Sequence, residues 1–229
     1  MTPAAPGSAR AAGAAAFVRA NGTLRQVPLV PEIRLHLADD AFRVWEASEH
    51  DWDGRGEAGP GEMPPPFWAF AWPGGQALAR HILDHGDLVA GRSVLDLGSG
   101  SGVTAIAAAL AGAASVLASE IDPLAVAAIG LNAAANDVSV DVTGDVLDGA
   151  GEDATVVLAA DVWYERTLAE RTFGLLRRAR ARGACVLAGD IGRAFLPRLA
   201  LRELAACDVP VLAGLEDAAV KRVQILTLL

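Results

Sequence analysis

Cysteine and lysine are scarce in this sequence. Cys185 and Cys207 are the two cysteines among 229 residues, too few for the disulfide framework of a small secreted domain, so we expect free thiols and a cytoplasmic location. Lys221 is the only lysine, and 19 basic residues stand against 28 acidic ones, which gives a formal net charge of −9. Because nucleic-acid backbones are bound by clustered Lys and Arg, this balance argues against a nucleic-acid partner and favours a basic protein partner.

A hydrophobic run long enough to cross a membrane is also missing. The apolar run at residues 105–118 is interrupted by Gly112 and Ser115 and is soon followed by Glu120, so it falls short of the ~20 apolar residues of a membrane span. Residues 1–23 contain no acidic side chain and are rich in Ala and Gly. They predict a flexible tail, with a mitochondrial transit peptide, and hence the mitochondrial matrix, as the alternative.

From Arg92 onward, short β-type apolar runs alternate with Ala- and Leu-rich segments, which is typical of a parallel sheet covered by helices on both faces. The last two strand candidates have no helix-length segment between them, so one of them must run antiparallel. Residues 92–229 therefore predict an α/β, Rossmann-like mixed sheet of seven strands, six parallel and one antiparallel. Residues 24–91 predict a lid or wall on the substrate side. The predicted strands are Ser93–Leu97, Ser115–Ser119, Val138–Val142, Thr155–Ala160, Ala184–Gly189, Val209–Leu212 and Val220–Leu228, and the predicted helices are Val103–Ala111, Pro123–Asn136, Glu165–Arg182 and Phe195–Ala206.

A glycine-rich turn follows the first strand of this sheet. The segment VLDLGSGSG places Gly98, Gly100 and Gly102 where the chain turns into a helix. Glycine permits both the tight turn and the close approach of a ligand to the backbone, and ligands bind at the carboxyl ends of parallel strands. Val103 stands where a dinucleotide-binding motif has its last glycine, which weakens a hydride-transfer interpretation. A plain strand-to-helix turn is the structural alternative.

Two carboxylates near the turn narrow the choice of ligand. Asp96 precedes the first glycine by two residues, where it would repel a pyrophosphate but suit an amino group and a sulfonium. Glu120 ends the second predicted strand, where a carboxylate can accept hydrogen bonds from both hydroxyls of a ribose. The pattern predicts a nucleoside ligand with a cationic tail.

The chain resembles the class I, seven-β-strand methyltransferases, and among them the lysine methyltransferases of the electron-transfer flavoprotein β subunit. The resemblance covers about residues 31–195 and is carried by PEIRL, FWAFAWPGGQALARHILD, SVLDLGSGSGVTAIAAALAGA, SEIDPLAVAAIGLNAAAN, DVWY and GDIGR. It implies S-adenosyl-L-methionine as cofactor and, as substrate, a lysine of the flavoprotein β subunit or of a similar basic protein loop.

The resemblance also implies roles for individual residues. Asp96, Gly98 and Gly100 would line the methionine portion, Glu120 would hold the ribose, and Asp145 would lie near the adenine amino group. Trp72 would lie against the cofactor or its entry channel. The complete set of residues expected to contact the cofactor is Trp72, Asp96, Gly98, Ser99, Gly100, Gly102, Glu120, Ile121, Asp145, Val146 and Asp161.

The segment Asp161–Tyr164 follows the fourth strand of the predicted sheet, on the same rim as the glycine turn. A carboxylate flanked by aromatic rings suits a cationic amine, so Asp161, Trp163 and Tyr164 are the predicted catalytic residues. Direct transfer needs a neutral amine, however, and a nearby carboxylate raises the pKa of an amine. We therefore interpret Asp161 as the group that orients the amine and stabilises the developing ammonium. Its alternative role is to cap the following helix.

Weaker candidates remain open. Asp190 and Arg193, in GDIGR, either face the substrate or cap a helix. His81 and His85 are four residues apart on a predicted helix, but without a third ligand they predict a solvated pair and no metal site. The alternative functions are a small-molecule amine or ribosomal-protein methyltransferase and, in another class, a non-catalytic interaction protein that binds S-adenosylmethionine.

Overall fold

A computed structural model of the chain describes residues 6–50, 65–147, 149, 153–211 and 218–229. Short 3₁₀ turns, Phe67–Ala69, Gly86–Leu88 and Arg198–Ala200, separate some of the longer elements. The longer elements, in chain order, are α1 (Pro6–Asn21), β1 (Thr23–Val27), β2 (Val30–Leu37), α2 (Ala41–His50), α3 (Pro73–Asp84), β3 (Ser93–Leu97), α4 (Val103–Leu110), β4 (Ser115–Ser119), α5 (Pro123–Ala135), β5 (Asp141–Thr143), β6 (Val156–Ala160), α6 (Arg166–Ala181), β7 (Cys185–Asp190), β8 (Leu201–Pro210) and β9 (Val220–Leu228).

The main sheet of the described chain has seven strands in the order β5-β4-β3-β6-β7-β9-β8. The pairs from β5 to β7 are parallel, whereas β9 runs antiparallel to both β7 and β8. Six strands therefore share one direction and β9 opposes them. The predicted Rossmann-like mixed sheet is confirmed, and the carboxyl ends of β3, β4, β6 and β7 meet at one edge.

Helices cover both faces of the sheet. Ile82 of α3, Ile106 of α4 and Ile129 of α5 belong to one hydrophobic cluster, and Leu175 and Leu176 of α6 belong to a second cluster. The side chains of a strand alternate between faces, so β3 contributes to both clusters. No helix in the described part of the chain is long and apolar enough to span a membrane.

Several predicted elements match the structure closely. The strands β3, β4 and β9 have the predicted bounds. Helix α5 begins as predicted, with Pro123 in its first turn and the side chain of Asp122 accepting a hydrogen bond from the Leu124 N–H at 2.9 Å. The strand β5 is shifted, because Asp141–Thr143 forms it where Val138–Val142 was expected.

The predicted helix Phe195–Ala206 is wrong. This segment contains a 3₁₀ turn and the first part of β8, which pairs with β9 from Leu201 to Pro210. Leu, Arg, Glu and Ala favour a helix locally, but pairing with β9 overrides that preference. The predicted strand Val209–Leu212 accordingly overlaps only the end of β8, and Leu212 lies outside the described residues.

The N-terminal region also differs from expectation. Where a flexible tail was predicted, residues 6–21 form α1, whose Ala14, Phe17 and Val18 are buried and which packs on α5. The hairpin β1–β2 contributes Ile33 and Leu35 to the same hydrophobic cluster as α3 and α4. The region predicted as a lid is thus docked on the main core over its described residues. Residues 1–5 and the turn-rich segment 51–64 lie outside them.

Candidate active site

The glycine turn lies at the carboxyl end of β3, as predicted. Gly98, Gly100 and Gly102 have φ angles of 59°, 53° and 82°, in the left-handed region that glycine enters without a steric cost. Gly102 is the N-cap residue of α4. A side chain at Gly98 would also crowd Val162, whose Cγ1 would be 3.1 Å from the added Cβ. The backbone therefore requires glycine in this turn.

Asp96 lies buried beneath the turn. Its Oδ2 accepts hydrogen bonds from the Ser99 hydroxyl and, at 2.7 Å, from the Thr104 hydroxyl. Burial raises the pKa of Asp96 to about 6, and the two hydroxyl donors oppose that rise. The carboxylate thus ties the turn to the first residues of α4.

Glu120, at the end of β4, is held against the glycine turn by backbone donors. Its Oε2 accepts from the Gly100 N–H at 2.9 Å, and its Oε1 accepts from the N–H groups of Ile121 and Asp122 at 2.7 and 3.1 Å. Ile121 is 75% exposed beside it. No Arg, Lys or His forms an ion pair with Asp96 or Glu120 within the described residues, so their charge is not balanced by a basic side chain.

The segment after β5 brings Asp145 to the same edge. Its Oδ2 accepts from Arg171 at 2.8 Å, and its Oδ1 accepts from the Leu147 N–H at 2.9 Å. The pKa of Asp145 is lowered, first by the Leu147 N–H and then by Arg171. Val146, predicted to touch the cofactor, is buried in the second hydrophobic cluster, so its side chain faces the core.

Asn132 of α5 supports the glycine turn from behind, a role that sequence analysis missed. Its Nδ2 donates to the Ser101 carbonyl at 2.8 Å, and its Oδ1 accepts from the His36 N–H at 2.8 Å and lies 2.9 Å from His36 Nδ1. Asn136, one turn later, bonds to the N–H and carbonyl of Arg34 instead. The sequence pattern that could have predicted this role is the pair of asparagines four residues apart on an otherwise apolar helix.

Three aromatic rings, which we call the aromatic rim, lie at the sheet edge near the glycine turn: Phe67, Trp72 and Tyr164. The ring centroid of Phe67 is 5.8 Å from that of Trp72 and 5.2 Å from that of Tyr164, and Trp72 Nε1 donates to the Phe67 carbonyl at 3.0 Å. Tyr164 is 47% exposed, so it presents a ring to solvent as expected of a substrate-facing residue. Phe67 was not singled out from the sequence, although it lies in the FWAFAWPGG segment.

Trp163 does not join this aromatic rim. It is completely buried and belongs to the second hydrophobic cluster. A fully buried ring cannot contact an incoming substrate. The structure thus gives Trp163 a packing role where sequence analysis expected a contact with the amine.

Asp161 lies at the end of β6 with a φ angle of 58°. Its Oδ1 accepts from Arg193 Nη1 at 2.7 Å and its Oδ2 accepts from the Gly75 N–H at 2.9 Å. Burial raises the pKa of Asp161 to about 7, and Arg193 opposes the rise. The alternative role as a helix cap is wrong, because Glu165 accepts from Thr167 and Leu168 N–H groups at the start of α6.

Close packing of α3 explains the paired glycines of the WPGG segment. A Cβ added to Gly74 would lie 2.3 Å from the Gly189 carbonyl oxygen and 2.6 Å from Asp161 Oδ2. Such distances are shorter than van der Waals contact allows, so glycine is required for α3 to reach the ends of β6 and β7. This approach is what delivers the Gly75 N–H to Asp161.

Other features lie outside this edge. His81 and His85 stack with ring centroids 4.4 Å apart, and His85 Nδ1 lies 2.9 Å from the His81 carbonyl. No cluster of three or more possible metal ligands occurs in the described part of the chain. A cavity of about 350 Å³ lies between the start of α6 and the segment after β7, with Phe195 and Arg166 in its lining. It does not include the glycine turn.

The described arrangement suits a nucleoside with a cationic tail. The glycine turn lets a ligand approach the backbone, and Asp96 and Glu120 supply negative charge that no basic side chain of the described residues pairs with. Backbone N–H groups take three of the about four acceptor positions of the Glu120 carboxylate, so about one position remains for a ribose hydroxyl. The residues present therefore fit the predicted class of ligand.

Comparisons with known proteins agree with this chemistry. Residues 77–168 match the family described as ribosomal protein L11 methyltransferase (PrmA). The chain is 38% identical over 169 residues to the electron transfer flavoprotein beta subunit lysine methyltransferase of Danio rerio, covering 72% of this chain and 62% of that protein. It is 32% identical to the Caenorhabditis elegans homolog of that enzyme, covering 79% of this chain and 77% of the homolog.

A solved structure from Thermoplasma acidophilum shares the fold. It superimposes with a TM-score of 0.53 at 19% identity, covering 67% of this chain and 86% of that one. The chain spans about 62% of the length of the Danio rerio relative.

Proposed function

The chain belongs to the electron transfer flavoprotein beta subunit lysine methyltransferase family, and we propose that it transfers a methyl group from S-adenosylmethionine to a lysine nitrogen. The acceptor is the electron-transfer flavoprotein β subunit or a protein with a similar basic loop. The observation that carries the proposal is the likeness to the Caenorhabditis elegans homolog of that methyltransferase across 79% of this chain. The net charge of −9 supports a basic protein partner.

In this proposal, the cofactor binds at the edge of the sheet that carries the glycine turn. S-adenosylmethionine, when bound, supplies a methyl group on a positively charged sulfur. The turn Gly98–Gly102 would let the ligand approach the backbone, Glu120 would accept a hydrogen bond from a ribose hydroxyl, and Asp145 would accept one from the adenine amino group. Asp96 contributes negative charge from beneath the turn while it holds Ser99 and Thr104.

The acceptor lysine enters beside the aromatic rim. The exposed face of Tyr164, supported by the ring of Phe67 5.2 Å away, packs against the aliphatic stem of a lysine and attracts a cationic amine. Asp161 lies at the adjoining strand end, where it orients the amine. No covalent enzyme intermediate is needed, so alignment of the amine with the methyl group supplies much of the rate.

A labelling experiment tests the proposal. The purified protein is incubated with isotope-labelled S-adenosylmethionine and purified electron-transfer flavoprotein, and the modified residue is located by mass spectrometry. We expect label on a lysine of the β subunit, and less label with Glu120→Gln when the cofactor is below saturation. Cofactor binding with no labelled product from a cell lysate would instead indicate a non-catalytic binding protein.

A ribosomal-protein methyltransferase is the second candidate, because residues 77–168 match the ribosomal protein L11 methyltransferase family. The same reaction with purified protein L11 distinguishes the two. Label on L11 and none on the flavoprotein would replace the first candidate with the second. Label on a small amine would replace both.

A further inference from the structure

Three charged side chains form a buried cluster at the ends of β6 and β7. Arg193 Nη1 lies 2.7 Å from Asp161 Oδ1 and 3.6 Å from Asp190 Oδ2. The side chains of Asp161, Arg193 and Asp190 are 11%, 14% and 0% exposed. One guanidinium thus bridges two carboxylates where little water reaches them.

Backbone donors complete the cluster. Asp190 Oδ1 accepts from the N–H groups of Gly192 and Arg193, both at 2.6 Å, and Asp161 Oδ2 accepts from the Gly75 N–H at 2.9 Å. Asp190 Oδ2 has no hydrogen-bond donor among the described residues. It therefore depends on the charge of Arg193. Burial raises the pKa of both carboxylates, and the charge of Arg193 opposes that rise, so Arg193 favours their ionised forms.

The pairing bears on the protonation of the acceptor. An unpaired carboxylate beside an amine raises the pKa of that amine and keeps it as ammonium, which cannot accept a methyl group. A carboxylate already paired with a guanidinium exerts a smaller net field. Asp161 can then accept a hydrogen bond from the amine without holding it in its cationic form.

We propose that Arg193 is a positioning residue that sets the charge of Asp161 on the acceptor side of the site, and that Asp190 acts on Asp161 in the opposite direction. The role assigned to the acceptor amine rests on the proposed methyl transfer to lysine. The charge relation among the three side chains does not depend on it. Arg193 acts through Asp161, so it is not itself a catalytic residue.

Other charged groups also act on the cluster and its surroundings. Burial raises the pKa of Asp190, and Arg193 and Arg198 lower it. Burial also raises the pKa of Tyr164, Glu120 and Glu165 raise it further, and Arg193 lowers it. Helix α3 contributes the Gly75 N–H. Burial has the largest effect on the pKa of Asp161 and raises it, Arg193 lowers it, and Asp190 raises it further.

Carboxyl titration in the ligand-free protein tests the charge relation directly. The ¹³C resonance of the Asp161 carboxyl, assigned with Asp161→Asn, is followed from pH 5 to about 9 in wild type, Arg193→Gln, Arg193→Lys and Asp190→Asn. Arg193→Gln should move the midpoint upward by about one unit or more, as expected for loss of an adjacent opposite charge. Arg193→Lys should lie between it and wild type, and Asp190→Asn should move the midpoint downward. Midpoints that stay fixed, or that move together in one direction, would overturn the proposal.

The pH dependence of kcat/KM for lysine methylation gives the second readout. Because kcat/KM reports groups of the free enzyme and the free substrate, the limb that reports Asp161 should move upward in Arg193→Gln and downward in Asp190→Asn, and a limb that reports the free lysine should stay in place. Arg166→Gln is the matched control, because its guanidinium lies 5.1 Å above the Phe195 ring on the same rim. It should leave both limbs and the carboxyl midpoint unchanged.

The two readouts separate the possible failures. If the Asp161 midpoint moves in opposite directions in Arg193→Gln and Asp190→Asn but no lysine is methylated, the proposed charge relation is supported and the proposed function is contradicted. If lysine is methylated but the Asp161 midpoint stays fixed in the variants, the proposed function is supported and the proposed charge relation is contradicted. Melting temperatures of all variants show whether a lost signal comes from unfolding.

Discussion

Negative charge is paired differently in the two halves of the sheet edge at which the carboxyl ends of β3, β4, β6 and β7 meet. At the ends of β3 and β4, Asp96 and Glu120 are bonded by hydroxyl and backbone N–H groups. At the ends of β6 and β7, Asp161 and Asp190 share the guanidinium of Arg193. The first half leaves its charge for a cationic ligand, whereas the second half offsets part of its charge with one guanidinium. This difference suits the proposed sulfonium ligand at the first half and the proposed acceptor amine at the second.

The largest expected effect is on the pH dependence of the free energy of unfolding, because Asp96 is buried without a basic partner among the described residues. Its pKa rises from 3.8 to about 6 in the folded protein. The folded state then binds more protons than the unfolded state in this range, so the free energy of unfolding falls as pH rises from about 4 to about 6. Asp96→Asn should remove up to about 3 kcal/mol of this dependence, at 1.36 kcal/mol per unit.

Denaturant unfolding of wild type and Asp96→Asn at pH 4.5 and about 7.5 measures the difference. Asp122 and Asp161, whose pKa values burial also raises, are common to both proteins, so they affect the two curves alike. If the free energy of unfolding changed equally with pH in both proteins, burial of Asp96 would have no electrostatic effect on stability, and the contrast between the two halves of the sheet edge would be wrong.

Replacing Glu120 should weaken cofactor binding next most strongly. Glu120→Gln removes charge-assisted hydrogen bonds to the ribose and places an amide beside the backbone donors of Gly100 and Ile121. Hydrogen bonds to charged groups contribute about 1.5 to 3 kcal/mol, so the Kd for S-adenosylmethionine should rise about 10- to 100-fold. Calorimetric titration measures it.

Asp145→Asn is the control for that loss. Asp145 is already paired with Arg171 and is partly exposed, so removing its charge should change the Kd by about fivefold or less. Equal losses in the two variants would show that pairing with a basic side chain makes no difference to cofactor affinity.

Asn132 and Asn136 separate support of the glycine turn from support of the N-terminal hairpin. Asn132→Ala leaves the Ser101 carbonyl and His36 donors without their partner and should cost about 2 kcal/mol of stability. It should also weaken cofactor binding, because Asn132 holds the turn. Asn136→Ala should lower the melting temperature while cofactor affinity stays unchanged. Equal effects on affinity would contradict this assignment.

The smallest expected effect tests the backbone of the turn. Gly98→Ala places a side chain at a φ angle of 59° and should cost about 1 to 2 kcal/mol. Gly130→Ala, in α5 with open space at the added Cβ, should instead stabilise the protein by about 0.5 to 1 kcal/mol. Thermal unfolding compares them, and a stable Gly98→Ala protein would show that the turn tolerates side chains.

Local patterns were sufficient where the structure depends on local chemistry. The alternation of apolar runs and helical segments predicted the main sheet, and the glycine spacing predicted the turn after β3. Asp122 and Pro123 predicted the start of α5, because a helix cap acts within a few residues. The rim position of Tyr164 followed from its place after an apolar strand.

Tertiary contacts decided the remainder. The sequence by itself determined that all but one strand of the main sheet run in the same direction and that the glycine turn, Glu120 and Asp161 lie at the carboxyl ends of strands, because these features depend on periodicity and on short-range steric rules. It did not determine that residues 201–206 form a strand, that Trp163 is buried, or that Arg193 pairs with Asp161 32 positions away. Those outcomes depend on which distant groups meet, and burial changes both the packing and the charge of each group that is brought together.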